Sequence, residues 1–175
     1  MSGNSTRLAV DIATRPAAAL VPALLICGFT GGVALGALVA ARAGDRRKRR
    51  VLELVCALLL GAAVARQGGW HEPMLGLLVL AMGALNNTFQ RDGEIAVGLT
   101  YMTGALVRLG QALGARLAGE RRGGTGAYAL LWAGLAGGAV VGALTFVEAA
   151  RLALWLGWGW AVLMLVAARR LEAAG

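Results

Sequence analysis

Short polar side chains occur at two places where apolar stretches of the chain are interrupted. Asn86-Asn87-Thr88 ends one apolar stretch, and Thr103-Gly104 opens a later segment. Carboxamide, hydroxyl and glycine residues can unwind a helix, and non-helical backbone at membrane depth is tolerated only where it faces protein or a water-filled cavity. In transporters built from inverted repeats, interrupted segments at matching positions mark the substrate site. These residues are therefore candidates to line a substrate pathway.

The phrase that contains Thr103 also opens the chain. Met102-Thr103-Gly104, with Arg-Leu beginning four residues after the glycine, repeats the pattern of Met1-Ser2-Gly3. Ser2 and Asn4 in the first copy therefore join the candidate pathway. A structural interpretation stays open beside this one, because Asn, Thr and Gly also cap helices and form turns at the interface. The whole candidate set is Ser2, Asn4, Asn86, Asn87, Thr88, Thr103 and Gly104.

A second repeated pattern consists of glycines spaced four residues apart in two apolar stretches. Residues at this spacing share one helix face, where small residues let two backbones approach closely, so we expect both rows to serve helix packing. Together the two patterns predict an internal duplication within one membrane domain, residues 1–175, with repeats at 1–66 and 73–170. The packing glycines are Gly28, Gly32, Gly36, Gly134, Gly138 and Gly142.

The composition indicates a helical membrane protein. Of 175 residues, 58% are hydrophobic and 15% are charged, whereas an average soluble domain carries roughly 25% charge. Long uncharged stretches are typical of transmembrane helices. The fold prediction is all-α with five spans, of which the third begins at Pro73, and an amphipathic helix over 102–117. The five spans are 17–41, 51–65, 73–89, 127–147 and 152–168.

The basic residues predict the orientation. The segment from Arg42 to Arg50 carries six of them, and if it is cytoplasmic, all but four of the 17 Lys and Arg residues lie inside. Such an asymmetry is what the positive-inside rule expects, and it predicts a bacterial inner-membrane protein with a cytoplasmic C-terminus. It also places the two copies of the phrase on opposite sides, so the repeats would be inverted. The four outer residues are Arg7, Arg15, Arg66 and Arg151.

The expected partners follow from the same charges. The net charge of +8 lies in short loops rather than on one folded face, so we expect no nucleic-acid binding. The lipid bilayer is the main partner, and the basic loop would meet anionic lipid headgroups. The glycine rows could serve a homo-oligomer or contacts within one subunit. The basic loop residues are Arg46, Arg47, Lys48, Arg49 and Arg50.

Few residues suggest other chemistry. Glu53 is the one acid inside a predicted span, and intramembrane carboxylates are often functional, but Arg50 is three residues away and favours an ion pair near the headgroups. Cys27, Cys56 and the lone His71 lack the spacing of a disulfide or a metal site. We find no catalytic constellation, and we expect neither an enzyme nor a cofactor.

The residues Gly83-Ala84-Leu85-Asn86, Thr103-Gly104 and Met1-Ser2-Gly3-Asn4 resemble the YoaK-type family of bacterial membrane proteins (domain of unknown function 1275). The resemblance covers essentially the whole chain and implies six helices, with Ala105 here where asparagine often follows the second phrase. Since the family's first helix is missing, we expect that the chosen start codon is internal or that the chain is a truncated copy. The resemblance implies a fold and no settled activity.

Two functional hypotheses remain. The first is a small-solute permease or channel-like carrier with its site at the interrupted segments near Asn86 and Thr103. The second is a non-transporting scaffold or regulatory membrane protein whose helices pack through the glycine rows. The sequence gives neither the solute nor a coupling ion.

Overall fold

The computed structural model describes residues 1–88, 90–91, 94–95, 102–119 and 125–174. The described chain is helical apart from one two-residue antiparallel pairing, β1 (Gln90–Arg91) with β2 (Glu94–Ile95). Phe89, where the sequence predicted the third span to end, lies outside the described residues, as do Arg121 and Arg122. The chain is an all-α membrane protein, as predicted. The inverted arrangement of its repeats stays a prediction.

The first half of the chain contains four helices. They are α1 (Ser2–Thr14), α2 (Leu20–Ala43), α3 (Arg47–Gln67) and α4 (His71–Leu85). Short 3₁₀ turns, Pro16–Ala19 and Gly44–Arg46, join α1 to α2 and α2 to α3. Gly44 has a φ of 53°, a left-handed value that a residue with a Cβ rarely adopts, and this lets the chain reverse between α2 and α3.

The second half contains two further helical stretches. The first is α5 (Met102–Leu117), with the same bounds as the predicted amphipathic helix. The second is α6 (Thr125–Ala174), in which Ala149 has non-helical backbone angles, so that it consists of two helices in series. Ala149 lies between the fourth and fifth predicted spans.

An apolar helix corresponds to each of the five predicted spans, and the third span is covered only as far as Leu85. Two continuous helical stretches are long and apolar enough to cross a membrane, Pro16–Gln67 and Gly126–Glu172, and His71–Leu85 is a shorter apolar helix. The helix of the third predicted span, α4, ends at Leu85, earlier than predicted, because the residues after it turn the chain. The helix of the second predicted span, α3, begins at Arg47 rather than Val51, because part of the basic segment is itself helical.

The chain divides into two compact units. The first contains residues 1–96 and 154–175, and the second contains residues 97–153. In the first unit α4 packs against both α2 and α3, and α1 packs against α2. One apolar cluster of this unit joins α3 to the end of α6 through Leu52, Cys56, Leu165 and Ala168. Another contains Ala62, Ala65 and Met74.

Candidate functional site

Helices α2 and α4 touch backbone to backbone. A Cβ at Gly32 would overlap the backbone carbonyl of Leu80, and a Cβ at Gly83 would overlap the carbonyl of Phe29. Glycine is therefore required on both sides of this contact. The first glycine row lies along it, since a Cβ at Gly28 would be 3.1 Å from Val79.

Where this contact ends, α4 stops and the chain turns. The backbone N–H groups of Asn86, Asn87 and Thr88 donate to the carbonyls three residues before them, at 3.2, 3.0 and 3.1 Å. Hydrogen bonds of this spacing tighten the end of a helix. All three side chains are buried. We call Asn86-Asn87-Thr88 the polar turn.

The two asparagine side chains of the polar turn bond to helical carbonyls. Nδ2 of Asn87 donates to the carbonyl of Val33 on α2 at 3.0 Å, and a Cβ at Gly36 would lie 2.6 Å from that same nitrogen. Gly36 therefore makes room for Asn87. Nδ2 of Asn86 donates to the carbonyl of Met82 in its own helix at 3.0 Å. Both carboxamides thus help to hold α4 in place.

Thr88 differs from its two neighbours. Its side chain is 5% exposed, and its hydroxyl oxygen has no hydrogen-bond partner among the residues that the structure describes. A buried hydroxyl without a partner costs about 1–3 kcal/mol. The fold therefore leaves one polar atom of the turn available to a ligand or a water molecule.

The polar turn lies beside the apolar part of α2, before the basic segment 42–50 begins. Gly36, which faces Asn87, precedes Arg42 by six helical residues, or about 9 Å along α2. Helix α4 has 15 residues, about 22 Å, which is short of the ~30 Å hydrocarbon core. A helix that ends early, followed by buried polar residues, is the kind of interruption that the sequence suggested.

A charged cluster is centred on Glu53 of α3. The carboxylate of Glu53 accepts hydrogen bonds from Arg49 at 3.0 Å and from Arg50 at 3.0 Å, which confirms the predicted pairing with Arg50. Arg169, near the end of α6, adds a third bond at 2.8 Å. Leu85, the last residue of α4, packs on the apolar residues one turn along α3 from this cluster.

The structure does not bring the first phrase to the polar turn. Ser2 and Asn4 lie in the first turn of α1, and Nδ2 of Asn4 bonds to the sulfur of Met1 at 3.3 Å. Among the described elements, α1 contacts α2 and the Pro16–Ala19 turn but not α4. Ser2 and Asn4 are therefore separate from Asn86, Asn87 and Thr88.

The second copy of the phrase belongs to the second unit. Thr103 and Gly104 lie in the first turn of α5, and Thr103 is exposed. Within the same unit, the guanidinium of Arg108 lies 5.7 Å from the ring centre of Tyr128, within reach of a cation–π contact. For the second glycine row, no described atom of this unit is within 4 Å of a Cβ at Gly134, Gly138 or Gly142.

Comparison with known proteins identifies the family. The model of the family described as "Protein of unknown function (DUF1275)" matches residues 1–167. The chain belongs to the DUF1275 family. It is similar to a UPF0700 transmembrane protein of Rhizobium meliloti, with 38% identity over 157 residues that cover 89% of this chain and 68% of the relative. No solved structure matches the chain.

One buried carboxylate of this DUF1275 chain was missed in the sequence. Asp11 is 1% exposed, and its two oxygens lie 3.5 Å from Nε of Arg7 and 3.3 Å from Nη2 of Arg15. The arginines lie one turn before and one turn after it, so the spacing gave a usable indication of pairing. The sequence did not indicate that Asp11 is buried, because its burial results from the packing of α1 on α2.

Both ring nitrogens of His71 lie within hydrogen-bonding distance of nearby groups. Nδ1 of His71 lies 2.9 Å from the carbonyl oxygen of Gly69, and Nε2 lies 2.8 Å from a guanidinium nitrogen of Arg66. Among the described residues, no group of three or more His, Cys, Asp or Glu side chains is close enough to hold a metal ion.

Proposed function

We propose that this DUF1275 protein is a small-solute permease or channel-like carrier of the bacterial cytoplasmic membrane, and that its solute passes the polar turn. The observation that carries the proposal is the buried hydroxyl of Thr88, which lacks a hydrogen-bond partner in the described structure. A fold that buries such a group without satisfying it gains when a solute or water molecule bonds to it. Solute and water molecules would both be present in a transport pathway.

The length of α4 supports the same proposal. A 15-residue helix that starts at one membrane surface ends inside the hydrocarbon core, at about 22 Å. Non-helical backbone at that depth must face protein or water. Here the turn is enclosed by protein on the side of α2, where Asn87 bonds to Val33, and Thr88 provides the group that could face water.

The proposed orientation places the polar turn near the cytoplasmic side. The basic segment 42–50 would lie in the cytoplasm under the positive-inside rule, and Gly36, which marks the level of the turn, is about two helical turns from it. In this arrangement the Glu53 cluster lies between the turn and the cytoplasm. The C-terminus would then be cytoplasmic.

The competing proposal is a non-transporting scaffold or regulatory membrane protein. It is supported by the two asparagines, because carboxamides that bond to helical carbonyls hold α4 in place whether or not anything moves past them. It is also supported by the close packing of α2 on α4 through glycine.

Flux through reconstituted protein separates the two proposals. Proteoliposomes would be tested by stopped-flow light scattering with glycerol and urea and by ion flux with Na⁺ and K⁺, against empty liposomes. A permease gives protein-dependent flux of at least one class. Asn86→Ala tests the polar turn and Thr103→Ala tests the first turn of α5, each by itself. Unchanged flux in a variant removes that residue from the pathway, and no flux for any solute favours the scaffold.

A further inference from the structure

A charged cleft lies where the α2–α3 turn meets the end of α6. It has a volume of about 420 Å³. Its lining comes from three elements, the 3₁₀ turn Gly44–Arg46, the first turn of α3 and the last turns of α6. The lining residues are Asp45, Arg46, Arg49, Arg169 and Glu172.

The cleft contains charges of both signs. Arg49 and Arg169 each use one nitrogen to bond to Glu53, Nε at 3.0 Å and Nη2 at 2.8 Å, and each guanidinium has further N–H groups. The described part of the chain has no ion pair for Asp45, Arg46 or Glu172. The lining thus offers guanidinium donors and carboxylate acceptors at the same time.

The position of the cleft restricts the ligand. It lies at the turn between two apolar helices, α2 and α3, where a chain that crosses the bilayer leaves the hydrocarbon core. The groups present at this depth are the phosphates of lipids and the substituents that they carry. A ligand that suits the lining would have a phosphate for the arginines and a hydrogen-bonding cation for Asp45 and Glu172.

We propose that this cleft binds the headgroup of phosphatidylethanolamine, with the phosphate at the guanidinium groups and the primary ammonium at the carboxylates. A primary ammonium donates charge-assisted hydrogen bonds to carboxylates, which the trimethylammonium of phosphatidylcholine cannot do. An anionic headgroup without an ammonium leaves Asp45 and Glu172 unpaired. The cleft and the polar turn share no residue, although Arg49 and Arg169 of the cleft also belong to the Glu53 cluster. Lipid retention is measured without any flux, so its outcome does not depend on the proposed transport.

The test is lipid retention measured by native mass spectrometry on the full chain, purified in detergent and offered equimolar phosphatidylethanolamine, phosphatidylcholine and phosphatidylglycerol. The wild-type chain should retain phosphatidylethanolamine about tenfold over either competitor. Arg46→Gln should abolish this preference. Arg170→Gln is the matched control, since Arg170 carries the same charge beside Arg169 but does not line the cleft, and it should retain the preference.

A second variant tests the role of the carboxylates. The double variant Asp45→Asn with Glu172→Gln should shift the preference toward phosphatidylglycerol by about tenfold, because the acids that select the ammonium are gone. Equal retention of all three lipids by the wild-type chain would overturn the proposal. A preference for phosphatidylglycerol, lost equally in Arg46→Gln and Arg170→Gln, would overturn it in favour of a diffuse basic surface. Competition by free glycerophosphoethanolamine at the same concentration as the lipid would assign the cleft to a soluble ligand instead.

Discussion

Nδ2 of Asn87 lies 3.0 Å from the carbonyl oxygen of Val33, so a side chain at the end of α4 bonds to the middle of α2. The contact exists because Gly36 has no Cβ to occupy the same space. This hydrogen bond fixes the end of α4 against α2. The position of Thr88, the next residue, depends on this bond and on Gly36.

Removing this bond should loosen α4. We expect Asn87→Ala to lower the free energy of unfolding by about 1 kcal/mol, the range measured for hydrogen bonds between membrane helices. Thermal unfolding in detergent, followed by circular dichroism, measures the change. Asn4→Ala is the control, because Asn4 bonds only to Met1 within its own helix in the described structure. Equal stability of the two variants would contradict the role of Asn87.

The glycines of α4 should differ sharply in their tolerance of alanine. A Cβ at Gly83 would overlap the carbonyl of Phe29, whereas no described atom lies within 4 Å of a Cβ at Gly76 in the same helix. Gly83→Ala should destabilise the protein by about 1–3 kcal/mol. Gly76→Ala should be neutral or stabilise it by up to about 1 kcal/mol. The measurement is the unfolding midpoint of each variant. Equal midpoints would contradict the close contact at Gly83.

Arg169 should protect the thiol of Cys56. Cys56 is buried against Leu165 and Ala168, less than a turn from the point where Arg169 bonds to Glu53. In a Cys27→Ala background, Arg169→Gln should raise the rate of maleimide labelling at Cys56 several-fold, because local opening exposes the group. Arg170→Gln should leave the rate unchanged. An unchanged labelling rate in Arg169→Gln would show that the apolar cluster alone shields Cys56 from the maleimide.

Orientation can be tested with two introduced cysteines. In a background without Cys27 and Cys56, Lys48→Cys should react with a membrane-impermeant maleimide only in inside-out vesicles if the basic segment follows the positive-inside rule, as we propose. Trp70→Cys, at the other end of α3, should react only in right-side-out vesicles. The reverse pattern would overturn the orientation and place the polar turn near the outer surface.

Periodicity and hydropathy predicted the apolar helices and α5 but not α1 or the end of α4. The bounds of α5 and the break near Ala149 follow from local sequence, and so does the pairing of Glu53 with Arg50 one turn away. The third arginine, Arg169, is 116 residues from Glu53, so only tertiary packing shows it. The same holds for the burial of Asp11.

The two glycine rows show why sequence alone could not locate the site. Gly32 and Gly138 have the same spacing and apolar surroundings, yet Gly32 touches another backbone and Gly138 has no described atom nearby. Spacing alone does not show which glycine meets a partner backbone. Likewise, the sequence grouped Asn86, Asn87 and Thr88 together. Only the hydrogen bonds distinguish the two asparagines, which bond to helical carbonyls, from Thr88, whose hydroxyl has no partner among the described residues.

The most direct test of the proposed pathway is to compare Thr88→Val with Thr88→Ser in the flux assay, with the solute that the wild-type protein conducts. Valine keeps the shape and removes the hydroxyl, whereas serine keeps the hydroxyl. If the hydroxyl bonds to the solute in transit, Thr88→Val should reduce flux about tenfold and Thr88→Ser should retain most of it. Equal flux in both variants, with both folded, would contradict a pathway at the polar turn.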